Sequence, residues 1–231
     1  MFFRKLMFVS GLLALSACSN PVKEARTSVL EAVGETAGIE FTSTVEFPHN
    51  VVCGEFKQVD KWGEFAGKKR FVYRDREVNL RPDRDDIAIF CSQSPADELQ
   101  QRFGIVVSGE SAAQISQVLE DLTMLAATLE RFYDDNDFYP QTGQGLAALK
   151  EKPASRFAMR HYPQGGYLDA LPLDPWQNPY HYEGPAWGGV KSPFTLRSNG
   201  ADGAAGGTGE AADIDTTMLP YIRFVAGLPK H

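Results

Sequence analysis

The stretch SAAQISQVLEDLTMLAATLERFYDDNDFYP, residues 111–140, decides the fold. Within it Ile115, Val118, Leu119, Leu122, Leu125, Ala126, Leu129, Phe132 and Tyr133 recur every three or four residues, the repeat that lines one face of an α-helix. The spacing predicts one amphipathic helix of about 24 residues. Ser111 with Gln114 reads as a capping box at its start. Asp134, Asp135, Asn136, Asp137 and Pro140 end it, because acids oppose the negative C-terminal dipole and proline cannot continue the ladder. This Asp-rich turn lacks the alternating oxygens, central glycine and distal glutamate of a calcium loop, so it reads as a solvated turn.

Downstream the chain is rich in turns. Leu146, Ala148 and Leu149 suit a short helix packed on the long one. Pro175, Asn178 and Pro179 build turns that deliver Tyr180-His181-Tyr182 as a strand, with Trp176 as a core or corner plug. The glycine run from Gly200 to Gly209 lacks the Lys-Ser/Thr and the strand-to-helix context of a phosphate-binding loop. Leu219, Tyr221, Phe224 and Val225, in the tail Met218 to Leu228, leave open whether that segment folds back or docks elsewhere.

Five blocks stand in a fixed order: the long helix, Tyr139-Pro140 with Gln144-Gly145-Leu146, Asp174-Pro175-Trp176 with Asn178-Pro179-Tyr180, Gly200-Ala201-Asp202-Gly203, and Ala212-Asp213-Ile214. In that order they resemble the periplasmic domain of the major (G-type) pseudopilin of type II secretion systems, over about residues 111–215. The resemblance implies an α+β fold, a long amphipathic helix packed on a small antiparallel sheet with a glycine-rich loop. It also implies a structural calcium ion wrapped by that loop. Asp202 and Asp213 match two of the family's aspartates, Ala211-Ala212 stand where a third is usual, and Glu210 or Asp215 are the substitutes. Glycine lets loop carbonyls turn inward to a hard cation that takes six to eight oxygens. The implied function is a non-enzymatic interaction or structural component of the cell envelope, accessory to a type II secretion or pilus-like system, with secretion-system proteins as partners. The alternative is a periplasmic or surface binding module that reuses the fold without a link to secretion. Upstream of Ser111 the chain departs from the family's apolar polymerising helix, so filament formation by the pilin route is not expected.

The remainder of the chain fixes the compartment. Arg4 and Lys5 precede an apolar stretch, Leu6 to Val9 and Leu12 to Leu15, too short to span a bilayer, which reads as a secretory signal over residues 1–17. It ends in Leu15-Ser16-Ala17-Cys18, which resembles a bacterial lipobox. That resemblance implies acylation of Cys18 (diacylglyceryl plus an amide-linked palmitate-type chain), a lipidated tether over 18–27 and stable membrane anchoring by several acyl chains. Ser19, where Asp would retain a lipoprotein in the inner membrane, implies an outer-membrane anchor facing the periplasm. The formal charge of the whole chain is −7 and becomes −9 once Arg4 and Lys5 leave with the signal, the wrong sign for a nucleic-acid binder.

In an oxidising compartment Cys53 and Cys91 are expected to form one disulfide, worth about 4 kcal/mol in the loop-entropy view. Two buried thiols or a metal pair are the alternatives, and no Cys-x-x-Cys or nearby histidine favours the metal. Residues 22–36 suit a helix with Val22, Ala25, Val29 and Val33 on one side. Val45 to Phe47, Val51-Val52, Phe71 to Tyr73, Val78 to Leu80 and Ile87 to Phe90 are β-prone runs broken by Pro48, Gly54, Gly63, Gly67 and Pro82. These readings give a small disulfide-stapled α+β domain over 28–105, joined near Gly104–Gly109 to a pseudopilin-like domain over 109–231. The mixed charges from Lys68 to Asp86 read as a solvated face. His49, His161, His181 and His231 are scattered, without a His-Glu-x-x-His or Gly-x-Ser-x-Gly pattern, and His181 in its strand reads as structural, so no enzyme is expected.

Overall fold

The computed structural model describes residues 20–34, 38–59, 62–64, 67–109, 111–154, 159, 161–185 and 194–228. The signal segment and Cys18 lie outside them. The class is α+β, as expected, and the chain divides into two compact units at Arg81/Pro82. Among the described residues no helix is long and apolar enough to cross a membrane.

The first unit is helix α1 (Pro21–Val33) on a four-stranded antiparallel meander, β1 (Ile39–Phe47), β2 (Val51–Gln58), β3 (Lys69–Arg74) and β4 (Glu77–Asn79), paired in chain order. Asn20 caps α1 by accepting the Lys23 N–H at 3.0 Å, and Pro21 occupies the first turn, where a missing N–H costs nothing. Ala25 and Val29 face the sheet and join Val52, Phe56, Phe71 and Tyr73 in one apolar core. Phe41, Phe56 and Phe71 meet at centroid distances of 6.1–6.3 Å, within the range for favourable tilted and edge contacts. Gly54 lets β2 pass close to its neighbours, since a Cβ there would lie 2.5 Å from the Ser43 carbonyl and 2.6 Å from the Phe71 ring.

In the second unit, α2 (Arg84–Phe90) and α3 (Pro95–Phe103) precede the long helix α4 (Ala112–Asn136). Then come α5 (Ala147–Lys150), the sheet β5 (His181–Glu183), β6 (Thr195–Ser198) and β7 (Ile214–Asp215), and α6 (Leu219–Val225). The apolar stripe of α4 is buried as its periodicity predicts, from Ile115 through Phe132. Asp137, in the left-handed region at φ 66°, closes the helix by donating to the Tyr133 carbonyl at 2.7 Å.

Three expectations are corrected. Ile87 to Phe90 belong to a helix, because Asp83 accepts the Asp85 and Asp86 N–H groups at 2.8 Å each while Asp86 accepts the Asp83 N–H at 3.1 Å, a full capping box. Cys91 therefore follows a helix instead of ending a strand; both it and Cys53 are disulfide-bonded. Ser111 forms no box with Gln114: its hydroxyl donates to the Val106 carbonyl at 3.0 Å and accepts the Ser108 N–H at 3.3 Å, tying down the segment before the helix. Finally, α2 and α3 fall in the second unit, whereas the sequence groups them with the strands upstream. Phe90 and Phe103 pack on Tyr221 and Phe224 of α6 at 5.0–5.9 Å, which also shows that the tail folds back.

Candidate functional site

The glycine-rich loop is built around a buried carboxylate. Asp174 is fully buried just before the turn Pro175 to Asn178. Its Oδ1 accepts the N–H groups of Trp176 (3.1 Å) and Asn178 (2.8 Å), the local geometry expected of an Asx turn. Its Oδ2 accepts the hydroxyl of Ser198 at 2.7 Å, and that same Oγ accepts the Gly200 N–H at 3.1 Å. Asn178 then donates from Nδ2 to the Gly200 carbonyl at 2.9 Å. One carboxylate thus fixes the turn, the end of β6 and the first residue of the loop. Burial of this carboxyl group is tolerated because three donors satisfy it.

Beyond Gly200 the loop doubles back on itself, with Ala201 donating to the Glu210 carbonyl at 2.8 Å. Gly200 (φ 65°) admits no side chain: a Cβ would lie 2.7 Å from the Glu210 carbonyl oxygen. The far end is held from before the long helix. Gly104, the left-handed C-cap of α3 at φ 71°, accepts the Gly209 N–H at 2.7 Å, and a Cβ on it would lie 2.9 Å from Thr208 Cγ2.

The four acids expected to hold calcium are placed as follows. Asp202 is exposed, with Oδ1 accepting the Ala204 N–H at 3.0 Å. Asp213 is half-buried; its Oδ2 accepts the Gly206 N–H at 3.1 Å and lies 3.9 Å from Arg197 Nε, while its Oδ1 is buried with no hydrogen-bond partner. Glu210 is exposed in a short 3-10 turn. Asp215 Oδ1 already accepts both the N–H (2.7 Å) and the hydroxyl (2.6 Å) of Thr217, capping the turn into α6. Among the described residues no three His, Cys, Asp or Glu side chains converge as a metal cage. Asp213 Oδ1 is the buried side-chain oxygen of this loop left without a hydrogen-bond partner.

A second buried polar contact ties the sheet to the long helix. Asp121, on the apolar face of α4, accepts the Tyr180 hydroxyl at 2.8 Å and the Gln117 side-chain amide at 3.1 Å. Burial first, and then the bond to Asp121, pushes the Tyr180 phenol well above its ordinary value. Near the end of α4, Asn136 donates to the Phe132 carbonyl and to the Tyr167 hydroxyl, each at 2.9 Å. Mainly through burial, the Tyr167 phenol is pushed up to about 12. His181 contacts Glu183 at 3.0 Å on β5, where both side chains are about half exposed. Trp176 is half-buried, in keeping with a corner position. Asp121 and Asp174 carried no expectation from sequence. The legible signal for Asp121 is an acid three residues after Val118 and four before Leu125 on an otherwise apolar stripe.

The family model described as type II secretion system (T2SS), protein G, matches residues 105–217. The type II secretion system core protein G of Pseudomonas aeruginosa is 43% identical over 109 residues, spanning 47% of this chain and 75% of that protein. The core protein G of Vibrio cholerae is 40% identical over 109 residues, spanning 47% of this chain and 72% of that protein. Among solved structures, the major pseudopilin from the type 2 secretion system of enterohaemorrhagic Escherichia coli is 36% identical, covering 46% of this chain and 89% of that one, with a TM-score of 0.40. Through the domain that runs from the turn before α4 to the turn after β7, the chain belongs to the type II secretion system protein G family.

Proposed function

We propose that this protein is a non-enzymatic structural component of a type II secretion system, held in the cell envelope by acyl chains on Cys18 at the outer membrane and facing the periplasm. The observation that carries the reading is the 43% identity to a core protein G over three quarters of that relative's length. The lipobox-like Leu15-Ser16-Ala17-Cys18 supports the anchor. Its partners are other secretion-system proteins of the envelope, engaged by the second unit.

Mass spectrometry of the mature protein tests the anchor: an N-terminal Cys18 carrying acyl chains is expected, and an unmodified residue there contradicts it. Deleting the gene tests the role. Secreted substrates should accumulate in the periplasm and return to the medium on complementation, whereas normal secretion in the deletion strain removes the proposed role.

The buried, partnerless Asp213 Oδ1 supports a structural calcium at the glycine-rich loop. Asp213 and Asp202 would hold it together with loop carbonyls, and the ion would supply the positive charge that this oxygen lacks. Since a ligand of the native state adds RT ln(1 + [L]/Kd), about 2.7 kcal/mol at a hundredfold excess over Kd, calcium should raise the melting temperature. Asp213→Asn should abolish that rise. A wild-type protein indifferent to calcium removes the ion from the account.

A further inference from the structure

The first unit carries a polar cavity of about 270 Å³, lined by Glu24 of α1, His49 and Asn50 of the turn between β1 and β2, and Tyr73, Asp75 and Arg76 at the β3–β4 hairpin. That volume lies just below the usual range of sites for drug-sized ligands, which points to a ligand about as large as an amino acid. Of the six non-glycine residues in the left-handed region among those described, four border this cavity: His49 (φ 61°), Asn50 (φ 59°), Asp75 (φ 53°) and Arg76 (φ 64°). Arg76 is the least expected of them. Arg74 pairs with Glu77 across the hairpin, so Asp75-Arg76 is a two-residue turn in which Asp-Gly would relieve the second position. An arginine in a conformation that favours glycine marks this hairpin as a candidate site.

The charges around the cavity narrow the ligand. Asp75 is paired to Arg74 at 3.0 Å. Glu24 accepts the Tyr73 hydroxyl at 3.3 Å, which leaves a carboxylate with further acceptor capacity. Among the described residues Arg76 makes no ion pair. A simple anion would meet Arg76 but also two carboxylates. A sugar would find no Phe, Tyr or Trp face to stack on, since Tyr73, the one such side chain of the lining, is 5% exposed. A metal is disfavoured by the arginine and by the absence of a three-ligand cluster among the described residues. A ligand carrying both signs satisfies both groups.

We propose that this cavity binds a small zwitterion, its anionic oxygens on the Arg76 guanidinium and its ammonium on the Glu24 carboxylate. Phosphoethanolamine and alanine represent the class, the first also being the headgroup of a phospholipid.

Calorimetric titration of the full chain tests it, with phosphoethanolamine, alanine, ethanolamine and inorganic phosphate as probes. Saturable binding of at least one zwitterion is expected, about tenfold or more tighter than ethanolamine or phosphate alone. Arg76→Gly is the decisive variant, because relieving the turn should hold or raise the melting temperature while binding is lost. Glu24→Gln should erase the preference for the ammonium-bearing probe over phosphate. Sedimentation with phosphatidylethanolamine against phosphatidylglycerol vesicles assigns the source: selective binding to the former marks a lipid headgroup, and binding of the free probe alone marks a solute. Absence of saturable binding to both zwitterions, or binding unchanged in Arg76→Gly, overturns the proposal.

Discussion

The two units of the chain are held together by different physics. Every buried serine, asparagine or aspartate side chain among the described residues, namely Ser111, Asp121, Asn136, Asp174 and Ser198, belongs to the second unit. The first has a core of Ala25, Val29, Val52, Phe56, Phe71 and Tyr73 under strands that pair with their neighbours in sequence. Its nine- and eight-residue strands β1 and β2 need no special anchor. The strands of the second sheet are three, four and two residues long, too short to fix their own loops. There the placement of the loops passes to carboxylates bonded across the chain. A meander spreads its stability over many small contacts, whereas a polar hub concentrates it in a few side chains.

Breaking the hub is therefore the severest test of that contrast. Asp174→Ala strands the Ser198 hydroxyl and the Trp176 and Asn178 N–H groups, and should cost roughly 3–5 kcal/mol, as removal of one partner from a buried charged network does. Chemical denaturation with amide exchange read at β6 checks it; a loss below that of an ordinary core truncation would sink the idea of a hub. In the first unit Val52→Ala removes two buried methyl groups and should cost about 2 kcal/mol, read by exchange at β2. Gly104→Ala should cost about 1–2 kcal/mol, because it forces a side chain at φ 71° into Thr208. Its exchange signature should appear at Gly209, whose N–H it would release. Unchanged protection there would mean that the α3 cap does not hold the loop.

High pH sharpens the comparison further. In the second unit burial raises the phenol pKa values of Tyr139, Tyr162, Tyr167, Tyr180, Tyr182 and Tyr221, against Tyr73 alone in the first. A folded-state pKa above the unfolded value of 10.0 contributes stability that is fully present below pH 10. For Tyr167 that contribution is lost as pH rises through about 12. The second unit should thus unfold first in alkali, followed by tyrosinate absorbance and exchange. Simultaneous loss of both units, or earlier loss of the first, would contradict this ordering.

Those same differences explain what was readable from sequence. The stripe of α4, the stop at Asp137, the face of α1 and the strand at Tyr182 follow from local periodicity and turn chemistry, so they were legible. Ile87 to Phe90 read as a strand from their β-prone residues alone, and the Asp83-x-x-Asp86 capping box makes them a helix in the structure. Ser111 misled in the opposite sense: the capping pattern was present, but its hydroxyl found Val106 and Ser108 first. The Asp174 hub stayed hidden because its partner Ser198 lies 24 residues away, and nothing local distinguishes a buried aspartate from a turn aspartate. Asp202 and Asp213 were legible as loop acids, while the commitment of Asp215 to Thr217 depends on the turn into α6.

If the second unit acts within a secretion machine, photo-crosslinking in intact envelopes will capture it there. Met124 and Leu173 are 36% and 50% exposed in that unit, which makes them positions for a crosslinking side chain. The account predicts adducts with type II secretion proteins when the system is expressed. Adducts confined to proteins outside that system, or none while the machine is assembled, would contradict it.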